Sequence, residues 1–272
     1  MTVFNLFKKH NKKISSEDTI LSPTAPFAFS EAYKMLRTNI KFATMNKHKK
    51  LLITSSVPNE GKSTVAINIA ISLAETGAKV LIIDCDMRNP CVHKYIRVRN
   101  LRGAGLSSVL AGSADVNDSI VTYKRGDDAI FDFIPVGSIP PNPAELLGSE
   151  TMKDLLDMLS EHYDYIICDT PPVTVVSDTA ILSRYCDGVL LVIKQKFSTK
   201  QQVQEAKQNL ESVGATILGT ILNQYNIADD RKKSSGHYGY GKDKYGYGYG
   251  YGYGQQPDTT MQQSTRRERI KQ

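Results

Sequence analysis

The sequence predicts a three-layer α/β domain on a mostly parallel sheet, and three observations predict it. Six apolar runs, at 51–54, 80–84, 131–136, 165–169, 189–194 and 217–223, are mostly continuous rather than alternating, as expected of strands covered on both faces. Helix-length stretches lie between several of them, at 62–75, 151–161, 179–184 and 199–212. Strand and helix in alternation imply parallel neighbours, because each connecting helix carries the chain back across the sheet. With 272 residues, the chain can bury one sizeable core and still leave tails.

In chain order, residues 1–29 read as an N-terminal arm. Phe4, Leu6 and Phe7 precede Lys8, Lys9, Lys12 and Lys13, which suits either a solvated arm or contact with an anionic membrane surface. The folded domain is placed at 30–228. The strand at 51–54 runs into the loop 55–64 and the helix that follows, which closes at Ala74-Glu75-Thr76-Gly77 with glycine in the usual position after a helix. The strand at 80–84 ends on Asp84, with Asp86 and Arg88 just beyond; that at 165–169 ends on Asp169; the last ends on Asn223. Residues 140–147 read as a loop leading into a helix. In sheets of this kind ligands bind beyond the carboxyl ends of the strands, so the chemistry is sought there.

The loop Ser55-Ser56-Val57-Pro58-Asn59-Glu60-Gly61-Lys62-Ser63-Thr64 is a P-loop in which Ser56 replaces the first glycine. The Gly61-Lys62-Ser63-Thr64 half is intact and framed by strand and helix, the context that distinguishes this motif from a simple Gly-Lys turn. Pro58, Asn59, Glu60, Gly61, Lys62, Ser63 and Thr64 are therefore the candidate nucleotide-binding segment. Backbone N–H groups and a helix N-terminus face the phosphates there. Lys62 reaches the β and γ phosphates, and Ser63 offers its hydroxyl to Mg²⁺. An acid that ends a strand is often only a cap or turn former. Three of them on a P-loop sheet point instead to function. Asp169, in the Walker B position, binds Mg²⁺ directly or through water. Asp84 either shares the metal or takes the proton of an incoming hydroxyl, and Asp86 is its pair.

The net charge of +6 is unevenly placed. Residues 1–13 hold four Lys and no acid, and residues 229–272 hold nine bases and five acids, so each end carries +4 and the middle −2. A nucleic-acid face would put the excess on the folded domain, so nucleic acid is excluded as the expected partner. The four cysteines (Cys85, Cys91, Cys168, Cys186) show no zinc-ligand spacing and suit a reducing cytosol. Neither a membrane-spanning run nor a secretory signal pattern is apparent. Residues 229–272 are expected to be a disordered tail. Within it, GHYGYGKDKYGYGYGYGYG at 236–254 carries seven of the chain's 14 tyrosines: Tyr238, Tyr240, Tyr245, Tyr247, Tyr249, Tyr251 and Tyr253. Alternating Tyr and Gly adds too little burial to offset the entropy of ordering glycine.

Taken in order, several motifs give the chain its resemblance to the bacterial tyrosine kinases (BY-kinases), specifically the cytoplasmic kinase subunit of capsule and exopolysaccharide synthesis. These are Ser30-Glu-Ala-Tyr-Lys-Met-Leu-Arg-Thr-Asn-Ile, the P-loop, Asp84-x-Asp86-x-Arg88, Gly105-Leu-Ser, Pro140-Pro-Asn-Pro-Ala-Glu-Leu-Leu, Asp169-Thr-Pro-Pro and the tyrosine-rich tail. The resemblance implies a three-layer P-loop NTPase fold of the MinD/ParA type and an ATP- and Mg²⁺-dependent protein-tyrosine kinase. Lys62, Asp84, Asp86 and Asp169 become catalytic residues, and Ser63, Asp84 and Asp169 metal ligands. Asn223 falls where related ATPases contact adenine. The seven tail tyrosines become acceptors phosphorylated in trans by a neighbouring subunit. Glu31, Lys34 and Arg37 match a Glu-x-x-Arg-x-x-Arg motif for assembly into a homo-oligomeric ring, with lysine at the middle position. Without the resemblance, these three read as a solvated stripe on one helix face. The resemblance also implies a membrane modulator of the Wzz-like polysaccharide co-polymerase kind, supplying an activating segment. It further implies a cognate tyrosine phosphatase and a cytoplasmic site at the inner face of the plasma membrane. The alternative is a MinD/ParA-like ATPase switch without kinase activity. Those ATPases usually carry a signature lysine where this chain has Val57, which favours the kinase.

Overall fold

The structure, a computed structural model, describes residues 2–7, 19–44, 49–98, 105–126 and 128–225; the seven tail tyrosines and the basic stretch 8–13 lie outside them. The elements run β1 (Thr2–Phe7), α1 (Phe27–Thr44), β2 (Lys50–Ser55), α2 (Lys62–Ala74), β3 (Val80–Asp84), α3 (Val92–Tyr95), α4 (Leu106–Leu110), β4 (Val121–Arg125), β5 (Asp128–Ile134), α5 (Pro143–Leu147), α6 (Glu150–His162), β6 (Tyr165–Asp169), α7 (Asp178–Ser183), β7 (Gly188–Lys194), α8 (Lys200–Ser212) and β8 (Ile217–Tyr225). The sheet order is β1-β8-β7-β2-β6-β3-β5-β4, parallel throughout except for the antiparallel β4–β5 edge.

The continuous apolar runs follow from this layering. Along β2, Leu51 and Ile53 enter one core with Leu36 and Ile40 of α1 and Ile67 and Ile71 of α2. Leu52 enters the opposite core with Leu155 and Leu159 of α6 and Leu210 of α8. All three β2 side chains are fully buried, so both strand faces must be apolar. Ten of the thirteen residues of α2 are buried, which explains a helix apolar all round rather than on one stripe. Its one buried asparagine is satisfied: Asn68 Oδ1 accepts from Leu21 N at 2.8 Å, and Nδ2 donates to Thr19 O at 2.8 Å.

Six strands are predicted and eight are found. β4 reads Val-Thr-Tyr-Lys-Arg, half polar and alternately exposed, as suits an edge strand. β1 lies within the stretch read as an arm. Its backbone pairs in parallel with β8, from Thr2 beside Gly219 to Phe7 beside Tyr225, so Thr2–Phe7 belongs to the sheet. Part of the loop 140–147 is the short helix α5, with proline in its first turn. Among the described residues no helix is long and apolar enough to cross a membrane.

The strand order positions the site. β2, β6 and β3 are neighbours, so the P-loop, Asp169 and Asp84 emerge side by side at the carboxyl edge. Asp84 and Asp169 are paired in register.

Candidate active site

The P-loop is held from below by its own glutamate. Glu60 is fully buried; its Oε2 accepts from Ser56 Oγ at 2.6 Å and Val57 N at 2.9 Å. Its Oε1 accepts from Ser198 Oγ at 2.7 Å and Lys194 N at 3.1 Å. This explains Ser56 at the first glycine position: the hydroxyl is a buried donor to the loop's own carboxylate. The Glu60 side chain is thus committed to bracing the loop, which leaves its backbone N–H as the group it can offer a nucleotide. Pro58 and Asn59 form the exposed crest of the loop, with Asn59 left-handed at φ +66°, a conformation asparagine tolerates. Thr64 Oγ1 bonds back to Gly61 O at 2.8 Å.

Asn223 serves the same scaffold. Its Nδ2 donates to Glu60 O at 2.9 Å, and its Oδ1 accepts from Gln224 N at 2.9 Å. Gly61 is left-handed at φ +86°, and a Cβ there would lie 2.3 Å from Asn223 Nδ2. The asparagine tip can shift, at the cost of its bond to the loop; the positive φ cannot be relieved. Gly61→Ala is expected to weaken nucleotide binding at least tenfold and to lower stability by about 1–2 kcal/mol, measured by titration calorimetry and thermal unfolding.

Above this support the predicted catalytic residues converge. Lys62 Nζ lies 3.1 Å from Asp86 Oδ2, 3.6 Å from Asp169 Oδ2 and 3.3 Å from Ser63 Oγ. Ser63 Oγ donates to Asp169 Oδ2 at 2.5 Å. Asp84 is fully buried: its Oδ1 accepts from Asp86 N at 3.2 Å, and its Oδ2 from Cys91 N at 3.2 Å and Val92 N at 3.3 Å. Burial, and then the charge of Asp169, push the Asp84 carboxyl up to about 8. Burial also raises Asp169, against the opposing pull of Lys62 and the Ser63 hydroxyl. Lys62 is raised as well: burial disfavours its charge, yet Asp169 and Asp86 outweigh burial and hold it protonated. The result is one ammonium shared among three crowded acids.

The donor set fits Mg²⁺. Asp169 Oδ1 is buried with no hydrogen-bond partner among the described residues, a costly arrangement for a carboxylate oxygen unless a cation or its water completes it. All the candidate donors are hard oxygens, as Mg²⁺ prefers. Among the described residues no three His, Cys, Asp or Glu side chains form a ready-made cage. Mg²⁺ is commonly held by one or two carboxylates with phosphate and water completing the shell.

Three features of the site escape sequence reasoning. Arg88 clamps Asp178 at the start of α7 through two bonds, Nε to Oδ2 at 2.8 Å and Nη2 to Oδ1 at 3.0 Å. This ties the loop carrying Asp86 to the far side of the sheet end. Cys91 Sγ donates to Ser63 Oγ at 3.1 Å. The third is the Glu60 knot. None has a spacing signal, because each pairs residues distant in sequence or turns a motif residue away from its usual task.

The structure separates the assembly trio. Glu31 and Lys34 form an exposed ion pair at 2.8 Å. Arg37 instead turns to α2, where its Nη1 donates to Ser72 O and lies 3.6 Å from Glu75. The three do not present one shared outer face.

These features define a P-loop nucleotide-binding enzyme, and residues 57–223 match the AAA domain family. The chain is 38% identical to tyrosine-protein kinase YwqD of Bacillus subtilis, over 85% of this chain and 95% of that one. Its fold superposes on the kinase domain of the Escherichia coli tyrosine kinase ETK with a TM-score of 0.71 and 36% identity, covering 86% of this chain and 87% of that domain. The full-length E. coli protein is longer, and the matching region spans 30% of it. The chimerical protein CapA2B2 gives a TM-score of 0.72 at 35% identity, covering 82% of this chain and 93% of that one. MinD of Pyrococcus horikoshii, at 0.56 and 24%, with 65% of this chain and 70% of that one covered, shares the fold. The chain belongs to the bacterial tyrosine-protein kinases.

Proposed function

We propose that the chain transfers the γ-phosphoryl group of ATP to tyrosines of its own tail, in trans between subunits, and thereby regulates capsular or exopolysaccharide synthesis and export. The observation that carries this reading is the cluster of Lys62, Ser63, Asp84, Asp86 and Asp169 at one sheet edge, in a chain that also bears seven closely spaced tyrosines. Lys62 leaves its carboxylate partners to meet the β and γ phosphates, while backbone N–H groups of 59–64 cradle them. Ser63, Asp84 and Asp169 would hold Mg²⁺, which when bound would supply positive charge against the oxygens of the transferring group. The tyrosine oxygen forms its bond to the γ phosphorus as the bond from that phosphorus to the β-phosphate oxygen breaks. The phenol proton passes to Asp84 or Asp86, and ADP leaves. Burial and the charge of Asp169 raise Asp84 to about 8, so it accepts the proton only where a nearby cation such as Lys62 keeps it ionised; Asp86, 3.1 Å from Lys62, is the other acceptor. Asn223 lies beside Gly61, close enough to the loop to border the base of the nucleotide.

A tethered tail delivers acceptors at high local concentration without a dedicated docking surface. Each phosphate adds about −1.5 to −2 charges, so a few modifications reverse the tail's positive balance and repel it from the acid-lined site. Subunits assemble through the exposed Glu31 and Lys34 of α1 with Arg37 behind them, in a ring that this change of charge loosens. The partners in this reading are a membrane modulator of the polysaccharide co-polymerase kind and a tyrosine phosphatase. The modulator holds the chain at the inner face of the plasma membrane. With all seven tail tyrosines replaced by Phe, the chain expressed in its natural host is expected to lose at least nine-tenths of its phosphotyrosine and to form a larger, more stable oligomer. Phosphotyrosine retained at parental levels, by immunoblot and mass spectrometry, refutes the tail as acceptor.

A further inference from the structure

Transfer to tyrosine requires that a phenol ring be held in line with the γ phosphorus and that water be kept away from it. The catalytic cluster supplies charge and a proton acceptor, but none of its members offers an apolar surface for a ring. Among the described residues, Tyr95 is an aromatic side chain one helical turn from a residue of the cluster's edge. Tyr95 is the last residue of α3, whose N-cap is Cys91, the residue that contacts Ser63. Four residues apart on a helix, Cys91 and Tyr95 lie over one another on the same face. Burial raises the Tyr95 phenol, and the charges of Lys62 and Asp169 also act on it, as its place one turn from Cys91 requires. It is exposed, with 36% of its surface open. Its hydroxyl makes no hydrogen bond among the described residues, so the phenol is not spent on holding the fold.

We infer that the Tyr95 ring is the stacking platform for the acceptor tyrosine, forming the apolar wall of the slot through which a tail phenol reaches the γ phosphorus. An aromatic ring fits the task because it offers the incoming phenol an offset or edge-to-face partner, in geometries an aliphatic residue cannot match. It also tolerates register: Tyr-Gly repeats can present any of several rings to the same surface, with glycine leaving room on either side. Tyr95 is thus a positioning residue for the acceptor, distinct from the groups that touch the phosphates. This inference rests on the kinase reading.

The test uses the full chain in host-cell membranes, its seven tail tyrosines replaced by Ser so that no tethered ring competes. The added acceptor is a synthetic peptide of residues 236–254. Initial rates of phosphotyrosine formation are measured against peptide and against ATP for the Tyr95 parent, Y95A and Y95F. The expected result is a KM for peptide about 3- to 10-fold higher in Y95A, with the KM for ATP within twofold of parent and Y95F restored to the parental value. A parental peptide KM in Y95A overturns the proposal. So does a defect in Y95F equal to that in Y95A, which would assign the effect to the hydroxyl, or phosphate found on Tyr95 itself, which would make it an acceptor. No phosphotransfer to peptide by the Tyr95 parent refutes the kinase reading, and the inference falls with it.

Discussion

Lys62→Met is expected to lower phosphotyrosine formation by about 10³-fold or more, the scale of loss when a main electrostatic contact to a transferring group is removed. Two separate effects combine. The methionine side chain fills nearly the same volume but brings no charge to the β and γ phosphates. It also leaves Asp86 and Asp169 facing one another, and Asp169 is fully buried. Without the ammonium, buried carboxylates take up protons rather than remain charged, and a protonated Asp169 is a poor metal ligand. Mg²⁺ affinity should therefore fall together with turnover. The measurements are phosphotyrosine formation on the tail peptide and Mg²⁺-dependent nucleotide binding by calorimetry. Lys62→Arg is the informative companion: it keeps the charge but changes its shape and reach, so it should restore the acids' ionisation while recovering little activity. Parental activity in Lys62→Met would remove the P-loop from the mechanism altogether.

The largest structural effect is expected from Glu60→Ala. Four donors converge on that carboxylate, from Ser56, Val57, Lys194 and Ser198. Removing the acceptor leaves one buried and three part-buried donors without their partner, each at a cost of order 1 kcal/mol after relaxation, for a total of about 3–5 kcal/mol. For a domain of this size that corresponds to a fall of roughly 6–20 °C in melting temperature. Nucleotide affinity should drop with it, because the loop loses the brace that fixes its backbone N–H groups. Glu60→Gln keeps one acceptor oxygen and should lie between. A melting temperature unchanged in Glu60→Ala would show that the bonds to this carboxylate contribute nothing net to the fold.

Much of the site is legible in the sequence because its parts are local. A strand, a Gly-Lys-Ser loop and a helix are contiguous, and acids that end apolar runs mark the carboxyl edge. The central strands are readable for the same reason: burial on both faces forces continuous apolar runs, as in Val80–Asp84 and Tyr165–Asp169. The two edges are not. Val121–Arg125 spends alternate residues on solvent, and Thr2–Phe7 carries its pairing in backbone bonds that composition does not record. Long-range side-chain ties are equally silent. Nothing in the residue string couples Arg88 to Asp178, 90 positions away, or Glu60 to Ser198, 138 away. Helix periodicity did predict that Glu31, Lys34 and Arg37 are neighbours. It could not say that Arg37 would reach inward to α2, since a long side chain near the boundary of an apolar face can turn either way.

That inward turn gives α2 a second role. Its first residue is Lys62, and its far end, at Ser72 and just beyond at Glu75, is gripped by Arg37 of α1. At 1.5 Å of rise per residue the thirteen residues between form a rod of roughly 20 Å. With ten of them buried, the rod has little room to bend on its own. Arg37 thus acts as a coupling at one end of a shaft whose other end is the phosphate-binding lysine.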